Sequence, residues 1–345
     1  LAIKFDSIFK EGIIESIETQ VGNSGRLTPV ATLNPPVDLL GTKVSRASLH
    51  NFSNINELGV GVGAKVLVCR KNDVIPYIEE VIEEPKEIYK QPEYCPKCNT
   101  PVLNVGEYVQ CPNTNSCIAQ IEGRIINWIK DLNILEWGES LIKKLVESNK
   151  VNTIADLYTL TINDLSSLDR MGDKSAKKCY DILHSNKEIP LDIFIGALSI
   201  PGIGSSTIKL IMDAGCDELT KFGQLKAEHF EIVAGDRAIK DNSLGEGLNN
   251  NQKLIIDLLA NGIKIKDKII GKLTGKSFCF SGNMVNKRQN LEAMVIKNGG
   301  QVKSSVGKGL SFLVLGDKNS TSSKAVAAKK NNTEVISEED FLNML

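Results

Sequence analysis

Four cysteines within one short stretch restrict this chain more than any other feature of its sequence. Cys95 and Cys98 form a C-x2-C pair, and Cys111 and Cys117 form a C-x5-C pair. Two such pairs can surround one zinc ion (Zn²⁺), which takes four thiolates in a tetrahedron at about 2.3 Å and then has no open position. The spacing predicts a closed structural zinc site that ties a loop together and performs no chemistry. Two disulfides are the alternative that the spacing leaves open.

The disulfide alternative belongs to secreted proteins, and the sequence lacks their other marks. It contains neither an apolar signal segment nor an apolar run long enough to span a bilayer. We therefore expect a reducing, intracellular location in the cytoplasm and no membrane partner. The remaining cysteines lie in apolar stretches and are predicted to be small core residues: Cys69, Cys179, Cys216 and Cys279.

Length and charge set two further bounds. The chain has 345 residues, which is too long for one hydrophobic core, so two to four domains are expected. Its formal net charge is −1, so no overall positive field attracts a polyanion. A polyanion would have to be bound locally, by backbone amides and a few placed cations.

The hydrophobic periodicity changes along the chain. Residues 1–85 consist of short β-rich stretches between Gly, Pro and Asn, as expected for a small closed barrel. Residues 102–110, between the two cysteine pairs, have the pattern of a hairpin. From residue 121 to about 270 the apolar residues follow a helical period. From about 273 to 345 strands alternate with helices, which predicts a small α/β sandwich with a parallel sheet.

The helical part contains glycine-bearing breaks that resemble one another. They predict four helix-hairpin-helix units, an internal repeat. The breaks are residues 168–172 (LDRMG) and 200–204 (IPGIG), with weaker copies at 134–138 (ILEWG) and 244–247 (LGEG).

Such a hairpin can bind one phosphate. Glycine permits positive φ and close approach, so the amides at the start of the second helix can point at a phosphate group, a contact that ignores base identity. The alternative is that each glycine merely ends a helix, and the absence of a basic excess in this region favours it. The predicted duplex contacts are Gly172, Lys174, Gly202, Gly204 and Lys209.

The order of these parts and three stretches of the barrel sequence together resemble one family of proteins. Residues 20–31 (QVGNSGRLTPVA), 44–51 (VSRASLHN) and 72–76 (NDVIP) are similar to the signatures of the oligonucleotide-binding (OB) barrel in bacterial-type NAD⁺-dependent DNA ligases. The last part resembles a BRCT domain. The implied fold class is multidomain α+β, with an OB-fold β-barrel, a small zinc module, all-α helix-hairpin-helix repeats and an α/β BRCT sandwich. The expected boundaries are 1–8 for the end of an adenylation domain, 9–88 for the OB-fold, 89–120 for the zinc finger, 121–267 for the helical domain and 268–345 for BRCT.

The resemblance implies the DNA-binding, nick-encircling part of a ligase that seals 5′-phosphate/3′-hydroxyl nicks in duplex DNA. The complete ligase uses NAD⁺ and Mg²⁺ and forms a lysyl-adenylate at a Lys-x-Asp-Gly motif. This sequence contains no Asp-Gly dipeptide, so we expect no self-adenylation and a requirement for a separate adenylation domain. Because the chain begins with Leu1, we expect a split subunit or a fragment. The alternative function is a non-enzymatic DNA-repair scaffold that binds duplex or 5′-phosphorylated DNA.

The resemblance also assigns roles to residues in the first part. Residues 2–5 (AIKF) resemble the last nucleotidyltransferase motif, in which Lys4 would contact the AMP phosphate. Arg46, Arg70 and Asn72 would face DNA or the adenylate. The alternatives are an unstructured terminus for Lys4 and a solvated charge for Arg46. Asn23 stands where the family usually has arginine.

In the BRCT-like part, three residues are expected to converge on one phosphate. Ser281 would contribute a hydroxyl and an amide, and Arg288 and Lys324 would contribute cations. A 5′-phosphorylated DNA end is the ligand that this arrangement implies. The alternative is that the domain only packs or binds protein. Trp128 and Trp137 are predicted to be core residues rather than platforms for bases.

Overall fold

The computed structural model of the chain forms two compact units. One unit is built from the described residues of Leu1–Ile208 and Gly223–Lys264, and the other from those of Lys209–Phe222 and Ile265–Leu345. Lys4, Asn72 and Cys216 lie outside the described residues. The described residues are 9–39, 41–71, 75–213, 218–222, 243–266, 271–307, 309–316 and 322–345.

A closed five-stranded barrel opens the first unit and confirms the predicted β-rich part. The strands pair in the order β1-β4-β5-β3-β2, and a β1–β2 pairing closes the ring. A short helix, α1, lies between β3 and β4. The bounds are β1 Lys10–Val21, β2 Arg26–Leu39, β3 Thr42–Ser48, α1 Phe52–Leu58, β4 Lys65–Lys71 and β5 Ile75–Glu83.

Alternation of side chains explains why these residues form a barrel. Along β2 every second residue points inward, and Leu27, Ala31 and Leu33 are buried in the interior. Each large apolar side chain buried in this way contributes roughly 1.5–3 kcal/mol. Helix α1 begins where the side chain of Asn51 accepts a hydrogen bond from the Asn54 amide, and it contributes Phe52 and Ile55 to the same core.

The region with the helical period is a set of short helices, as predicted. The indole N–H of Trp128 donates to the Tyr158 hydroxyl at 3.0 Å, and that of Trp137 donates to the Cys179 carbonyl at 3.0 Å. Both indoles are buried, which confirms that they are core residues. The bounds are α2 Ile118–Asp131, α3 Glu139–Glu147, a 3-10 turn Ala155–Thr159, α4 Ile162–Ser166, α5 Asp173–Ser185, α6 Leu191–Ala197, α7 Ser205–Asp213, α8 Leu219–Phe222, α9 Ser243–Asn250 and α10 Gln252–Ala260.

Three of the four predicted breaks lie between consecutive helices. Residues 134–138 separate α2 from α3, 168–172 separate α4 from α5, and 200–204 separate α6 from α7. The fourth prediction was wrong, because residues 244–247 lie inside helix α9. Position 247 requires glycine because a Cβ there would collide with the side chain of Ile200. This glycine permits close packing of the helix and does not end it.

The C-terminal part is the predicted sandwich. Its four strands are all parallel, in the order β11-β10-β12-β13. The side chains of α11 and α13 share one core cluster with Phe278 and Phe280, and those of α12 share another with Cys279 and Leu313, so helices cover both faces of the sheet. The bounds are β10 Ser277–Ser281, α11 Arg288–Lys297, β11 Gln301–Val302, β12 Phe312–Leu315, α12 Ser323–Lys330, β13 Glu334–Ser337 and α13 Glu338–Asn343.

Two short hairpin strands and two further strands complete the elements. Strands β6 (Leu103–Val105) and β7 (Tyr108–Gln110) form the hairpin predicted between the cysteine pairs. Strand β8 is Glu188–Pro190, and β9 is Lys264–Lys266. Within the described residues, no helix has the length and apolar character needed to cross a membrane.

The stability of the helical region depends on pH through one histidine, His184. The ring of His184 lies 4.1 Å from that of Tyr180, centroid to centroid, and packs edge-on against Tyr158. Its Nε2 is buried and has no hydrogen-bond partner among the described residues. Burial lowers the pKa of His184, and the positive charge of Lys187 lowers it further.

The first prediction follows from this lowered pKa. Because the fold favours the neutral ring, the stabilisation is complete above the unfolded-state pKa of about 6.5 and is lost as pH falls through the lower folded-state pKa. We expect His184→Leu to flatten the dependence of the free energy of unfolding on pH between 7 and 5, measured by urea denaturation. Parallel curves for the variant and the parent chain would contradict this assignment.

Candidate metal centre and phosphate-binding hairpins

The four predicted zinc ligands converge on one point. The Sγ atoms of Cys95 and Cys117 are 4.0 Å apart, those of Cys98 and Cys111 are 3.5 Å apart, and all four sulfurs lie within 4.8 Å of one another. A tetrahedral ion with sulfur ligands at 2.3 Å separates them by about 3.8 Å, whereas a disulfide requires about 2.05 Å. The four cysteines can therefore bind a metal ion, and none of them is disulfide-bonded in this structure.

A tight turn positions the first pair of cysteines. The amide of Cys95 donates to the Thr100 carbonyl at 2.8 Å, and the amide of Asn99 donates back to the Cys95 carbonyl at 2.9 Å. Asn99 adopts φ +55°, a left-handed conformation that asparagine tolerates better than most residues. The turn directs both sulfurs inward, and the Cys98 thiol also contacts Thr100 Oγ1 at 3.3 Å.

The second pair is attached to the barrel and to the helical region. The amide of Cys111 donates to the carbonyl of Gly25 in the β1–β2 turn at 2.8 Å. Cys117 immediately precedes α2, and its carbonyl accepts the amide of Ile121 at 3.0 Å. The candidate metal site therefore lies where the barrel, the β6–β7 hairpin and helix α2 meet.

Burial determines the charge state of these thiols. It raises the pKa of Cys111 to about 12, and it also raises that of Cys117. At Cys98 burial acts in the same direction, but hydrogen bonds from Thr100 and the neighbouring cysteines outweigh it, and the pKa is lowered to about 6. A divalent cation would provide the positive charge that lets the buried sulfurs bind it as thiolates.

The barrel turn fits tightly against the cysteine module. Gln120 is completely buried, and its Nε2 donates to the carbonyls of Cys111 at 3.0 Å and Asn113 at 3.1 Å. Gly25 has φ +81°, and a Cβ there would overlap the Cys111 carbonyl and reach the Gln120 amide. Beside this contact β7 pairs with β2, so the hairpin extends the sheet of the barrel. Sequence reasoning missed this shared construction, although Gly25 lies within one of the quoted barrel stretches.

The hairpin residues lie where a phosphate could reach them. Gly172 precedes α5, and both it and Lys174 are exposed. Gly202 has φ +75°, Gly204 directly precedes α7, and Lys209 is exposed on that helix. All five predicted hairpin contacts are therefore exposed residues.

The two barrel arginines predicted to contact DNA differ in their surroundings. Arg46 pairs with Glu18 at 2.9 Å, and its side chain is 51% exposed. Arg70 lies on β4, and its Nε is buried with no hydrogen-bond partner in the described part of the chain. Arg46 is therefore exposed at the surface, and Glu18 neutralises part of its positive charge.

In the sandwich the three predicted phosphate ligands are not all on one face. Lys324 Nζ donates to the Ser304 carbonyl at 2.8 Å and lies 3.6 Å from the sulfur of Cys279. Ser281 is two residues after Cys279 on β10, so both side chains are on this face of the sheet. Arg288 begins α11, which packs on the opposite face, and its guanidinium pairs with Glu292 at 2.7 Å. Ser281 and Lys324 therefore share one face of the sheet, and the helix that Arg288 begins covers the other.

These features define a multidomain α+β protein built on an OB-fold barrel and a BRCT sandwich. Residues 11–89 match the family described as the NAD-dependent DNA ligase OB-fold domain. Residues 269–345 match the BRCA1 C Terminus (BRCT) domain.

Curated relatives extend the match to the whole chain. A DNA ligase of Sorangium cellulosum is 43% identical over 99% of this chain and 50% of its own length. DNA ligases of Treponema denticola and Natronomonas pharaonis are 39% and 34% identical over 100% of this chain and 54% and 50% of their own lengths. The chain is similar to NAD-dependent DNA ligases in its barrel and to DNA ligases along its whole length, and it spans about half the length of the curated relatives it matches.

The metal site leads to the second prediction. Replacing one buried thiolate, in Cys117→Ser, should abolish stoichiometric metal binding and destabilise the barrel end of the chain by several kcal/mol, on the order of 5. Metal content by mass spectrometry and thermal melting test this. Cys279→Ser is the matched control, since Cys279 is equally buried but lies in the sandwich, and it should retain the metal. Retention of metal by the Cys117 variant would rule the site out.

The third prediction concerns the contact between barrel and cysteine module. Gly25→Ala should lower the free energy of unfolding by more than about 3 kcal/mol. The new Cβ would collide with the Cys111 carbonyl, in addition to the strain of positive φ. Gly41→Ala is the control, since Gly41 has φ +77° but a Cβ there would have no atom within 4 Å. This variant should lower the free energy of unfolding by only about 1 kcal/mol. Chemical denaturation of both variants measures the difference, and equal losses would show that the contact contributes nothing.

Proposed function

We propose that this chain is the DNA-binding and nick-encircling part of an NAD-dependent DNA ligase, which seals 5′-phosphate/3′-hydroxyl nicks in duplex DNA. The observation that carries the proposal is the combination, in one chain, of a barrel of the ligase OB family with exposed glycine hairpins that end at helix N-termini. Each hairpin offers amides to the sugar-phosphate backbone without regard to sequence. A ligase requires this kind of binding, because nicks occur anywhere.

The near-neutral charge is consistent with this mode of binding. With a formal net charge of −1, the chain has no general attraction for DNA, so its affinity must come from several local contacts. The proposed contacts are Arg46, Arg70 and Asn72 in the barrel, Gly172, Lys174, Gly202, Gly204 and Lys209 in the hairpins, and Ser281, Arg288 and Lys324 in the sandwich. The sandwich residues would bind the phosphate of a DNA end, with Ser281 and Lys324 as its centre because they share one face.

The chemistry would be divided between this chain and an adenylation domain. Lys4 would neutralise the AMP phosphate as its bond to the departing group breaks. NAD⁺ and Mg²⁺ would serve the complete ligase, and the four cysteines would hold a structural Zn²⁺ that performs no chemistry. Since the sequence has no Asp-Gly dipeptide, the lysyl-adenylate would form on the adenylation domain. We keep the domain boundaries predicted from the sequence and an intracellular location as parts of this proposal.

Mixing experiments test the proposal. The chain alone should bind nicked duplex with an affinity that falls steeply with salt, and it should form no AMP adduct with NAD⁺. Addition of an adenylation domain from a ligase relative should restore sealing of a labelled nick. An AMP adduct on the isolated chain, or failure to bind nicked DNA at low salt, would refute the division of labour.

A fourth prediction tests the third hairpin by moving it without changing its charge. Gly196 of α6 touches the start of α7, and a Cβ there would meet the backbone nitrogen of Ser205. Gly196→Ala should displace this helix start and weaken binding of nicked DNA roughly tenfold, as loss of one phosphate contact does. Fluorescence anisotropy measures the affinity, and circular dichroism verifies that the variant is folded. Unchanged affinity of a folded variant would show that this hairpin does not contact DNA.

A further inference from the structure

A groove in the first unit is formed by four segments that are separated in the sequence. Its volume is about 640 Å³, and its walls come from the β1–β2 turn, the β6–β7 hairpin, α2 and the 199–206 segment between α6 and α7. Among the described residues that line it, Arg26 is the one cation and Asp131 the one acid. Neither residue was singled out by the sequence.

The cation is oriented by an aromatic ring. The guanidinium carbon of Arg26 lies 3.3 Å from the centroid of Tyr108, on the hairpin of the cysteine module. Stacking uses the flat face of the guanidinium and leaves the N–H groups at its edge free for a ligand. In the described part of the chain the Arg26 side chain has neither an ion pair nor a hydrogen-bond acceptor, in contrast to Arg46, which pairs with Glu18.

The start of α7 contributes further donors to the groove. The Gly204 carbonyl accepts hydrogen bonds from the amides of Thr207 and Ile208. The amides of Ser205 and Ser206, at the start of α7, have no acceptors among the described residues. Both of these serines line the groove. One groove therefore holds, among its described residues, both a planar cation and unpaired amides.

We propose that this groove binds one phosphate of the DNA backbone, with Arg26 as a contacting residue and Tyr108 as its positioning residue. The inference rests on the proposed DNA-binding function and adds a contact to it. A fork of N–H donors and unpaired amides in one groove suit the tetrahedral oxygens of a phosphodiester. It also connects the candidate metal site to DNA, because the hairpin that carries Tyr108 continues directly into Cys111.

The negative charge of Asp131 on the groove wall provides an independent test of whether a phosphate binds there. Asp131 accepts a hydrogen bond from Asn127 at 3.1 Å, and its carboxylate opposes a bound phosphate. Removing this charge in Asp131→Asn should strengthen binding about twofold to threefold at low salt, and a weakening would count against a phosphate in the groove.

The decisive experiment titrates the full chain into labelled nicked duplex at several salt concentrations. Arg26→Gln should weaken binding roughly fivefold to tenfold and reduce the slope of log K against log salt by about 0.9, the value for one phosphate contact. The control is Lys90→Gln, since Lys90 is a highly exposed cation that pairs with Glu87 and does not line the groove. Its slope should equal that of the parent chain.

Variants of Tyr108 separate positioning from direct contact. Tyr108→Phe keeps the ring and should bind like the parent chain, whereas Tyr108→Ala should weaken binding about threefold to fivefold. In an Arg26→Gln background Tyr108→Ala should have no further effect, because the ring then has no guanidinium to orient. An undiminished effect in that background would mean that the ring itself contacts DNA and would overturn the positioning role.

The two proposals fail in distinguishable ways. If the parent chain does not bind nicked DNA, the proposed function is wrong. If the parent chain binds and Arg26→Gln retains both its affinity and its salt slope, the groove contact alone is wrong.

Discussion

The hydrogen bond from the Cys111 amide to the Gly25 carbonyl is the contact on which the arrangement of the first unit depends. It joins a metal-ligating residue to the turn between the first two barrel strands, and Gln120 of α2 fills the space behind it. Since the next ligand, Cys117, precedes α2, the orientation of that helix relative to the barrel follows from the same cluster. The cysteine module is therefore a joint between barrel and helices and has no separate core, because three of its cysteines are buried in the barrel cluster.

In the proposed function, this joint would give a near-neutral chain a way to bind a polyanion. Without a positive field, binding requires donors that are already oriented, because each flexible cation would lose conformational entropy on binding. Helix N-termini and a stacked guanidinium meet this requirement. In the groove both occur together: Arg26 is oriented by Tyr108, and the start of α7 is fixed by its close contact with Gly196. Rigid placement thus replaces net charge.

Much of the fold could be predicted from local pattern. The spacing of four cysteines, the alternation along β2 and the strand-helix alternation after residue 273 each reflect a short-range rule, and the structure agrees with all three. The hairpin at 244–247 could not be predicted correctly, because a glycine that ends a helix and a glycine that admits a neighbouring side chain look alike in sequence. Only the position of Ile200 distinguishes them at Gly247.

The sequence by itself determined which residues can ligate a metal, which stretches form strands or helices, and the family that the chain resembles, since all of these depend on neighbours in the chain. Tertiary structure alone decided that β7 joins the barrel sheet, that Arg26 stacks on Tyr108, and that Arg288 and Lys324 begin helices on opposite faces of one sheet. These outcomes depend on residues that are distant in sequence and adjacent in space. Their pairing is determined by how whole elements pack, which no local pattern encodes.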